Sequence, residues 1–290
     1  GGCYLFPKDD YDEPVLVSST DGVGTKLKIA FLTKNHITIG RCLVNHCVND
    51  ILVLGAKPLF FLDYFGTGKL DPFAFKDVVN GMAEACKENR CVLIAGETAE
   101  MPGFYKEGEY DLSGTVVGVV DRKNMMSERK ISSGDVLIGL PSSGLHTNGY
   151  SLARKVLLEN FSTDEHLDKI GCTVGEALLS VHRSYLDILN PILDKKWLRG
   201  ISHITGGGII ENTNRVVSDG QKIEINWSSW KTLPIFELIQ DIGNVPTEDM
   251  RRSFNLGIGM VLIIEKNSIE EIDKYLKKLN EPYSVIGEIV

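Results

Sequence analysis

The stretch Pro14-Val15-Leu16-Val17-Ser18-Ser19-Thr20-Asp21-Gly22-Val23-Gly24-Thr25-Lys26 decides how the fold is read. A β-rich apolar run over Pro14–Ser19 passes directly into a short polar turn, as a strand does when it delivers the chain to a ligand-facing loop. Gly22 and Gly24 carry no Cβ, so backbone can approach a ligand closely, and Thr25 and Lys26 can donate to phosphate. Asp21, where the strand ends, is well placed for a Mg²⁺-binding carboxylate. The order Gly-Thr-Lys excludes a Walker A loop, which needs Gly-Lys-Ser/Thr after four spacers. An ordinary β-to-α turn accounts for the same residues, and spacing alone leaves both readings open.

Outward from this point, short β-rich runs are mixed with helical segments. Strands are expected at Pro14–Ser19, Leu59–Tyr64, Cys91–Ala95, Leu112–Asp121, Asp135–Leu140, Lys222–Asn226, Ile258–Glu265 and Tyr283–Val290. Helices are expected at Ile39–Leu54, Pro72–Asn89, Tyr150–Asn160, Gly175–Leu198, Gly208–Val217, Pro234–Ile242 and Ile269–Asn280. Asp71-Pro72 reads as an N-cap with a first-turn proline, and Ser268 with Glu271 as a capping box. The polar stretch Arg122–Gly134 is the expected domain boundary, dividing residues 1–125 from 126–290. The fold class is α/β, or α+β, in two halves.

Four further segments carry candidate chemistry. In the helix Ile39–Leu54, Ile39, Leu43, Cys47, Ile51 and Leu54 form a buried stripe, and Asp50 borders it. A carboxylate there costs several kcal/mol unless it meets a metal or a cationic partner. Ala95-Gly96-Glu97-Thr98-Ala99-Glu100-Met101-Pro102-Gly103, after an apolar strand, is oxygen-rich. Asp21, Asp50 and Glu97 would then form one divalent-ion cluster suited to Mg²⁺ rather than zinc. Ser142–Ser151 gathers Ser143, His146, Thr147 and Asn148 at a loop tip, a donor-rich site or a capped turn. Thr205-Gly206-Gly207-Gly208, leading into a helix, is an anion seat or a tight helix entry. His203 serves equally as a packed imidazole or a catalyst. His36, His46, His166 and His182 have no metal-ligand spacing to one another and read as structural, and no G-x-S-x-G nucleophile motif occurs.

Composition narrows the partners. Over 290 residues, 43% are hydrophobic and 24% charged, the profile of a soluble globular protein. The net charge of −8, with no Lys/Arg cluster, argues against nucleic acid but not against phosphorylated small molecules. No apolar run approaches the roughly 18 residues that span a membrane. The six cysteines, without a C-x-x-C pair, read as reduced thiols of a cytoplasmic protein. Gly1-Gly2 in place of an initiator methionine points to a missing native N-terminus.

Taken together, the segments TDGVGTKLKIA (20–30), CVNDILVLGAKPLFFLDYFGTGKLD (47–71), GETAEMPGFY (96–105), YDLSG (110–114), GDVLIGLPSSGLHTNGYSLARK (134–155), HITGGGIIENTNRV (203–216) and FNLGIGM (254–260) resemble the aminoimidazole ribonucleotide synthetase family. They occur in family order across nearly the whole chain. Ala95, Leu256, Val181 and His182 depart from the family pattern, while Arg183 and Tyr185 keep it. The resemblance implies a two-domain subunit whose N-terminal halves close a shared β-barrel in a homodimer. It implies ATP- and Mg²⁺-dependent ring closure of formylglycinamidine ribonucleotide in purine synthesis. The N-terminal half, 1–125, would bind ATP and Mg²⁺ and dimerise, and 126–290 would complete the substrate site.

By the same resemblance, Lys26, His146 and Asp50 are catalytic. Asp21, Gly22, Gly24, Thr25, Lys26, Asp63, Glu97 and Thr98 bind the nucleotide, and Asp21, Asp50 and Glu97 hold the metal. Ser143, His146, Asn148, Arg183, Thr205, Gly206 and Gly207 bind substrate. Sister enzymes of the superfamily, thiamine-monophosphate kinase or selenophosphate synthetase, are the nearest alternative, and a catalytically silent assembly subunit is another. Intact Asp21, Lys26, Asp50 and Glu97 speak against the silent subunit.

Overall fold

The computed structural model describes residues 1–218 and 220–290. In the N-terminal half, β1 (Pro14–Gly22) leads through a 3-10 turn into α1 (Leu27–Thr33) and α2 (Ile37–Leu52). Then follow β2 (Lys57–Thr67), α3 (Pro72–Glu88), β3 (Val92–Glu100) and β4 (Tyr110–Asp121). The strands form one sheet in the order β1-β4-β2-β3, with β2 and β3 parallel and the other pairs antiparallel. The parallel pair is joined by α3, the crossover such a pair requires. Asp71 caps α3, its carboxylate accepting from the Phe73 and Ala74 amides at 2.9 and 3.4 Å, as expected for Asp-Pro.

Helix α2 lies against the sheet because β4 presents glycines where the helix crosses. A Cβ on Gly114 would collide with Phe61 and crowd Leu43, and one on Gly118 would collide with Ile51. On its other side α2 meets α3 backbone to backbone. A Cβ on Gly40 would overlap the Val78 carbonyl, and one on Gly81 the Ile37 carbonyl. In an open helix Gly→Ala adds about 1 kcal/mol of stability. Here Gly40→Ala should instead remove about 3 kcal/mol, because two helix axes must separate to admit a methyl. Chemical denaturation checks the sign, and a variant more stable than its parent refutes the close approach.

The C-terminal half holds β5 (Val136–Pro141), α4 (Tyr150–Leu158), the two-residue ladder β6 (His166–Leu167) and β7 (Cys172–Thr173), α5 (Val174–Leu179) and α6 (Leu186–Leu189). After these come β8 (Leu198–His203), α7 (Gly208–Asn214), β9 (Ile223–Ile225), α8 (Pro234–Gly243), α9 (Thr247–Ser253), β10 (Ile258–Ile264), α10 (Ile269–Lys278) and β11 (Ser284–Ile289). Five strands form an antiparallel sheet in the order β8-β10-β5-β11-β9. Among the described residues no helix is long and apolar enough to cross a membrane.

Several sequence expectations need correction. The helix expected over Gly175–Leu198 does not form. The chain leaves α5 at Leu179, stays non-helical from Ser180 to Tyr185, and makes only α6 and a 3-10 turn at Asn190–Ile192 before β8. The reason lies on α2. The Asn45 and Asn49 amides donate to the His182 and Arg183 carbonyls at 2.7 and 2.8 Å, and Asn49 Oδ1 accepts from the Tyr185 amide at 3.1 Å. Side chains thus satisfy a backbone that would otherwise need helical bonds. Strand β8 and helices α1 and α9 were not expected. Ser268 makes no capping hydrogen bond; the capping box is Thr173 with Glu176, at the start of α5. β1 and β3 run on through Asp21-Gly22 and Gly96–Glu100, because both segments find ladder partners on β4 and β2.

Candidate functional site

The polar edge of α2 is the centre of the site. Asp50 Oδ1 accepts from His203 Nδ1 at 2.8 Å and Asp50 Oδ2 from Ser19 Oγ at 3.1 Å. His46, one turn earlier on α2, places Nε2 3.1 Å from Asp21 Oδ2 and 3.7 Å from Asp50 Oδ2. Its Nδ1 lies 2.6 Å from Thr147 Oγ1, which lies 3.3 Å from His182 Nδ1, and His182 Nε2 lies 3.0 Å from His203 Nε2. Asp21, His46, Thr147, His182, His203 and Asp50 therefore form a continuous polar circuit. It is contributed by β1, α2, the β5–α4 loop, the segment after α5, and β8.

One proton assignment satisfies every link of this circuit. His46, protonated on both nitrogens, donates to Asp21 and Thr147; Thr147 donates to His182, His182 to His203, and His203 to Asp50. The electrostatics agree. Burial drives the His46 pKa down, but the Asp21 hydrogen bond and the Asp50 and Asp21 charges outweigh it, and the pKa is raised. Burial pushes Asp21 and Asp50 upward, but His46 on the one and His203 on the other bring both below the usual carboxylate value. His203 is lowered chiefly by burial, against the pull of Asp50. His182 and His146 are pushed well down by burial and neighbouring imidazoles, and stay neutral.

Around the circuit the expected site residues fall into distinct groups. Lys26 is fully buried, and its ammonium donates to the His146 carbonyl at 2.9 Å, the Ser180 carbonyl at 2.6 Å and Cys42 Sγ at 3.1 Å. Three donors meet three acceptors, so Lys26 ties the β1–α1 turn to the second half rather than facing solvent. His146 is also enclosed. Its Nε2 accepts from the Ser143 amide at 3.2 Å and its ring stacks on His182 at 4.0 Å, so it shapes the loop. Arg183 is engaged by Glu281 at 2.7 Å and the Pro141 carbonyl at 3.1 Å. Ser143 is exposed with its hydroxyl on the Val181 carbonyl, and Asn148 is half-buried beside Gly206. Gly22, Gly24 and Thr25 lie at the end of β1 and in the turn, Thr25 with its hydroxyl 3.4 Å from Ser151 Oγ.

The metal trio expected from sequence is not assembled within this chain. Asp21, Gly114, Asp63 and Gly96 are aligned across the sheet, so Asp21 and Asp63 share its inner face. Glu97 pairs with Tyr64, one residue further on, and so projects from the opposite face, three strands from β1. Thr98, paired with Phe65, returns to the inner face. Among the described residues, the groups whose ligand atoms lie within 4.8 Å of one another are His46–Asp50–His203 and His146–His182–His203.

The glycine run is also more committed than expected. The Gly207 amide donates to the Arg252 carbonyl and the Gly208 amide to the Thr205 carbonyl, at 3.0 and 3.2 Å. Asn212 Nδ2 bonds the Gly206 and Gly208 carbonyls at 3.1 and 2.8 Å, and Thr205 Oγ1 reaches Asn212 Oδ1 at 3.1 Å. These glycines chiefly turn the chain against α9.

Known protein families match most of the chain. Residues 8–120 match the family described as AIR synthase related protein, N-terminal domain, and residues 132–290 its C-terminal domain. A protein of Caldanaerobacter subterraneus subsp. tengcongensis named phosphoribosylformylglycinamidine cyclo-ligase is 51% identical over 292 residues, spanning 100% of this chain and 87% of its own length. In fold, Escherichia coli HypE, a hydrogenase maturation protein, superposes with TM-score 0.69 at 18% identity, over 98% of this chain and 82% of its own. A structure described as AaThiL complexed with AMPPCP and TMP superposes with TM-score 0.67 at 15% identity, over 95% and 80%.

Proposed function

We propose, because the chain belongs to the AIR synthase family, that it is an ATP-dependent cyclo-ligase converting formylglycinamidine ribonucleotide to 5-aminoimidazole ribonucleotide, ADP and phosphate. The observation that carries this is the 51% identity to a named cyclo-ligase along the whole chain. The reaction removes an amide oxygen, a poor leaving group. ATP phosphorylates the formyl oxygen, the amidine nitrogen attacks that carbon, and phosphate departs with the oxygen. The protein contributes positioning and charge stabilisation.

Asp21 and Asp50, with side chains 45% and 25% exposed and both ionised, fit a divalent cation accompanying ATP. That ion, Mg²⁺ by family, would supply charge neutralisation at the phosphates. Asp63 and Thr98 extend the same inner face toward the nucleotide. Asp50, oriented by His203, is placed to take the proton shed by the amidine nitrogen, and the circuit to His46 spreads the resulting charge. For the ribose 5′-phosphate we assign the turn where Thr205, Gly206 and Asn148 meet, with Ser143 at its rim. His146, Lys26, Arg183 and Gly207 act by holding these segments in place.

Glu97 enters through dimerisation. The outer face of the first sheet exposes Leu16 at 63%, Tyr64 at 37% and Val92 at 48%, apolar area that a second copy would cover. Closing a barrel between two such faces would set Glu97 at the interface, facing the partner. Light scattering at micromolar protein should give the mass of a dimer; a monomer alone ends this assignment. The activity is tested by incubating the purified protein with formylglycinamidine ribonucleotide and Mg²⁺-ATP. Formation of aminoimidazole ribonucleotide with matching ADP is the expected result, and ADP without the imidazole product points to a different acceptor.

A further inference from the structure

We propose that Asn89, the residue closing α3, is a positioning residue that sets His182 in the circuit from outside the site. Its carboxamide is not needed to end the helix. Main chain closes the cap, with the Asn89 amide on the Ala85 carbonyl at 2.9 Å and the Cys91 amide on the Cys86 carbonyl at 2.8 Å. Yet the Asn89 side chain is buried, with its oxygen and both amino hydrogens engaged. Nδ2 donates to Asn45 Oδ1 and to the Ala85 carbonyl, each at 2.7 Å, and Oδ1 accepts from Ser184 Oγ at 2.6 Å. Asn45, also buried, donates in turn to the His182 carbonyl at 2.7 Å. The carboxamide therefore joins α3 and α2 to the non-helical segment that carries His182.

The ends of this chain of bonds fix its direction. The Ala85 and His182 carbonyls can only accept, and the Leu186 amide, 3.3 Å from Ser184 Oγ, can only donate. Ser184 therefore donates to Asn89, Asn89 to Asn45, and Asn45 to His182. If either carboxamide turned over, acceptor would face acceptor in a buried place. The carbonyls on either side of His182 are held by other groups: Ser180 by Lys26, Val181 by the Ser143 hydroxyl, and Arg183 by Asn49. The His182 carbonyl relies on Asn45, and Asn45 keeps its amino group there because Asn89 holds its oxygen. From His182 the path is short. His182 Nε2 lies 3.0 Å from His203 Nε2, and His203 Nδ1 lies 2.8 Å from Asp50 Oδ1. Asn89 makes no hydrogen bond to Asp21, Asp50 or the turn at Thr205-Gly206, so it acts only through these intermediates. Misplacing a reacting group by about 1 Å from a distance can cost roughly 100-fold in rate.

The effect on rate rests on the proposed reaction and the effect on His182 does not, so both are measured. Imidazole ¹H–¹⁵N spectra of the labelled protein, assigned by single histidine substitutions, report the His182 ring directly. Asn89→Ala should move the His182 signals and leave those of His166, exposed on the β6–β7 ladder, in place. In steady state the same variant should lower kcat ~10-fold, with the Michaelis constants for ATP and the ribonucleotide within ~2-fold of the parent. Made in a His182→Ala background, Asn89→Ala should lower kcat no further, because the group it acts through is gone. Ser184→Ala, at a half-buried position, cuts one arm of the network and should show the same pattern to a smaller degree. It decides the matter if circular dichroism shows Asn89→Ala to be unfolded. Unmoved His182 signals in a folded variant overturn the positioning role. So does an equal loss of kcat with and without His182, the mark of a general loss of stability. A parent that forms no imidazole product ends the cyclo-ligase reading instead, and the His182 signals alone then decide for or against Asn89.

Discussion

Asp50→Asn should lower kcat for ring closure by ~100-fold or more while the melting temperature moves by only a few degrees. Asparagine is nearly isosteric, and its Oδ1 can still accept from His203 Nδ1, now at 2.8 Å from Asp50. The Ser19 hydroxyl can turn to a new partner, since Ser19 is only half-buried. What disappears is one negative charge. His46 keeps Asp21 as a counter-ion 3.1 Å away, so no buried cation is stranded and the fold should hold. The cation seat, by contrast, loses half its anionic ligands, and the proton acceptor is no longer a base. Steady-state rates over a range of divalent-ion concentration, with a melting curve, measure both sides. Near-parental turnover at limiting metal would show that Asp50 is only the acceptor that orients His203.

How much of this site sequence could reveal depends on where each residue's partners lie. Asp21 was legible because a strand, a carboxylate and two glycines follow one another within a few residues. Asp50 was legible because a carboxylate beside an apolar helical stripe is costly and therefore demands a partner. The partner's identity was not. His182 and His203 come from segments more than 130 residues away, and His182 lies where a helix is expected but the chain is non-helical. One local signal existed: His46 stands four residues before Asp50 on α2, the spacing that puts an imidazole and a carboxylate on one helix face. Judging the histidines only by their spacing to one another hid it.

Glu97 illustrates a different limit. The strand, its acidic residue and its approximate position are all visible in the sequence. Which face Glu97 occupies depends on parity along β3, and the β2–β3 ladder shifts register between Phe61 and Leu62. A shift of one residue exchanges the two faces. No local pattern fixes that shift, so grouping Glu97 with Asp21 was an even choice from sequence, and the ladder places it on the other side. The two sheets themselves were easier to anticipate, since eight of the strand expectations correspond to the observed β1–β5 and β9–β11.

Gly208→Ala should destabilise the protein by about 4 kcal/mol, while Gly206→Ala, two residues earlier, should leave stability nearly unchanged. Gly208 has φ +68°, and a Cβ there would overlap the Arg251 carbonyl oxygen. Forcing a non-glycine residue into that left-handed conformation costs about 1–2 kcal/mol, and overpacking a backbone contact adds about 1–3. At this chain length that is roughly 10 °C in melting temperature. Gly206 has no such constraint: its Cβ would sit 3.4 Å from Asn148 Oδ1, an ordinary contact at the mouth of the proposed phosphate site. A methyl there stands between an incoming phosphate and the turn, so the Michaelis constant for the ribonucleotide should rise about 10-fold with kcat less affected, the loss of one charge-assisted contact. The pair of variants separates the two roles that the glycine run can play. If Gly206→Ala binds the ribonucleotide as the parent does, the phosphate lies elsewhere and all three glycines serve to turn the chain against α9. If Gly208→Ala melts with the parent, the Arg251 contact yields easily, and close backbone approach is not why glycine stands there.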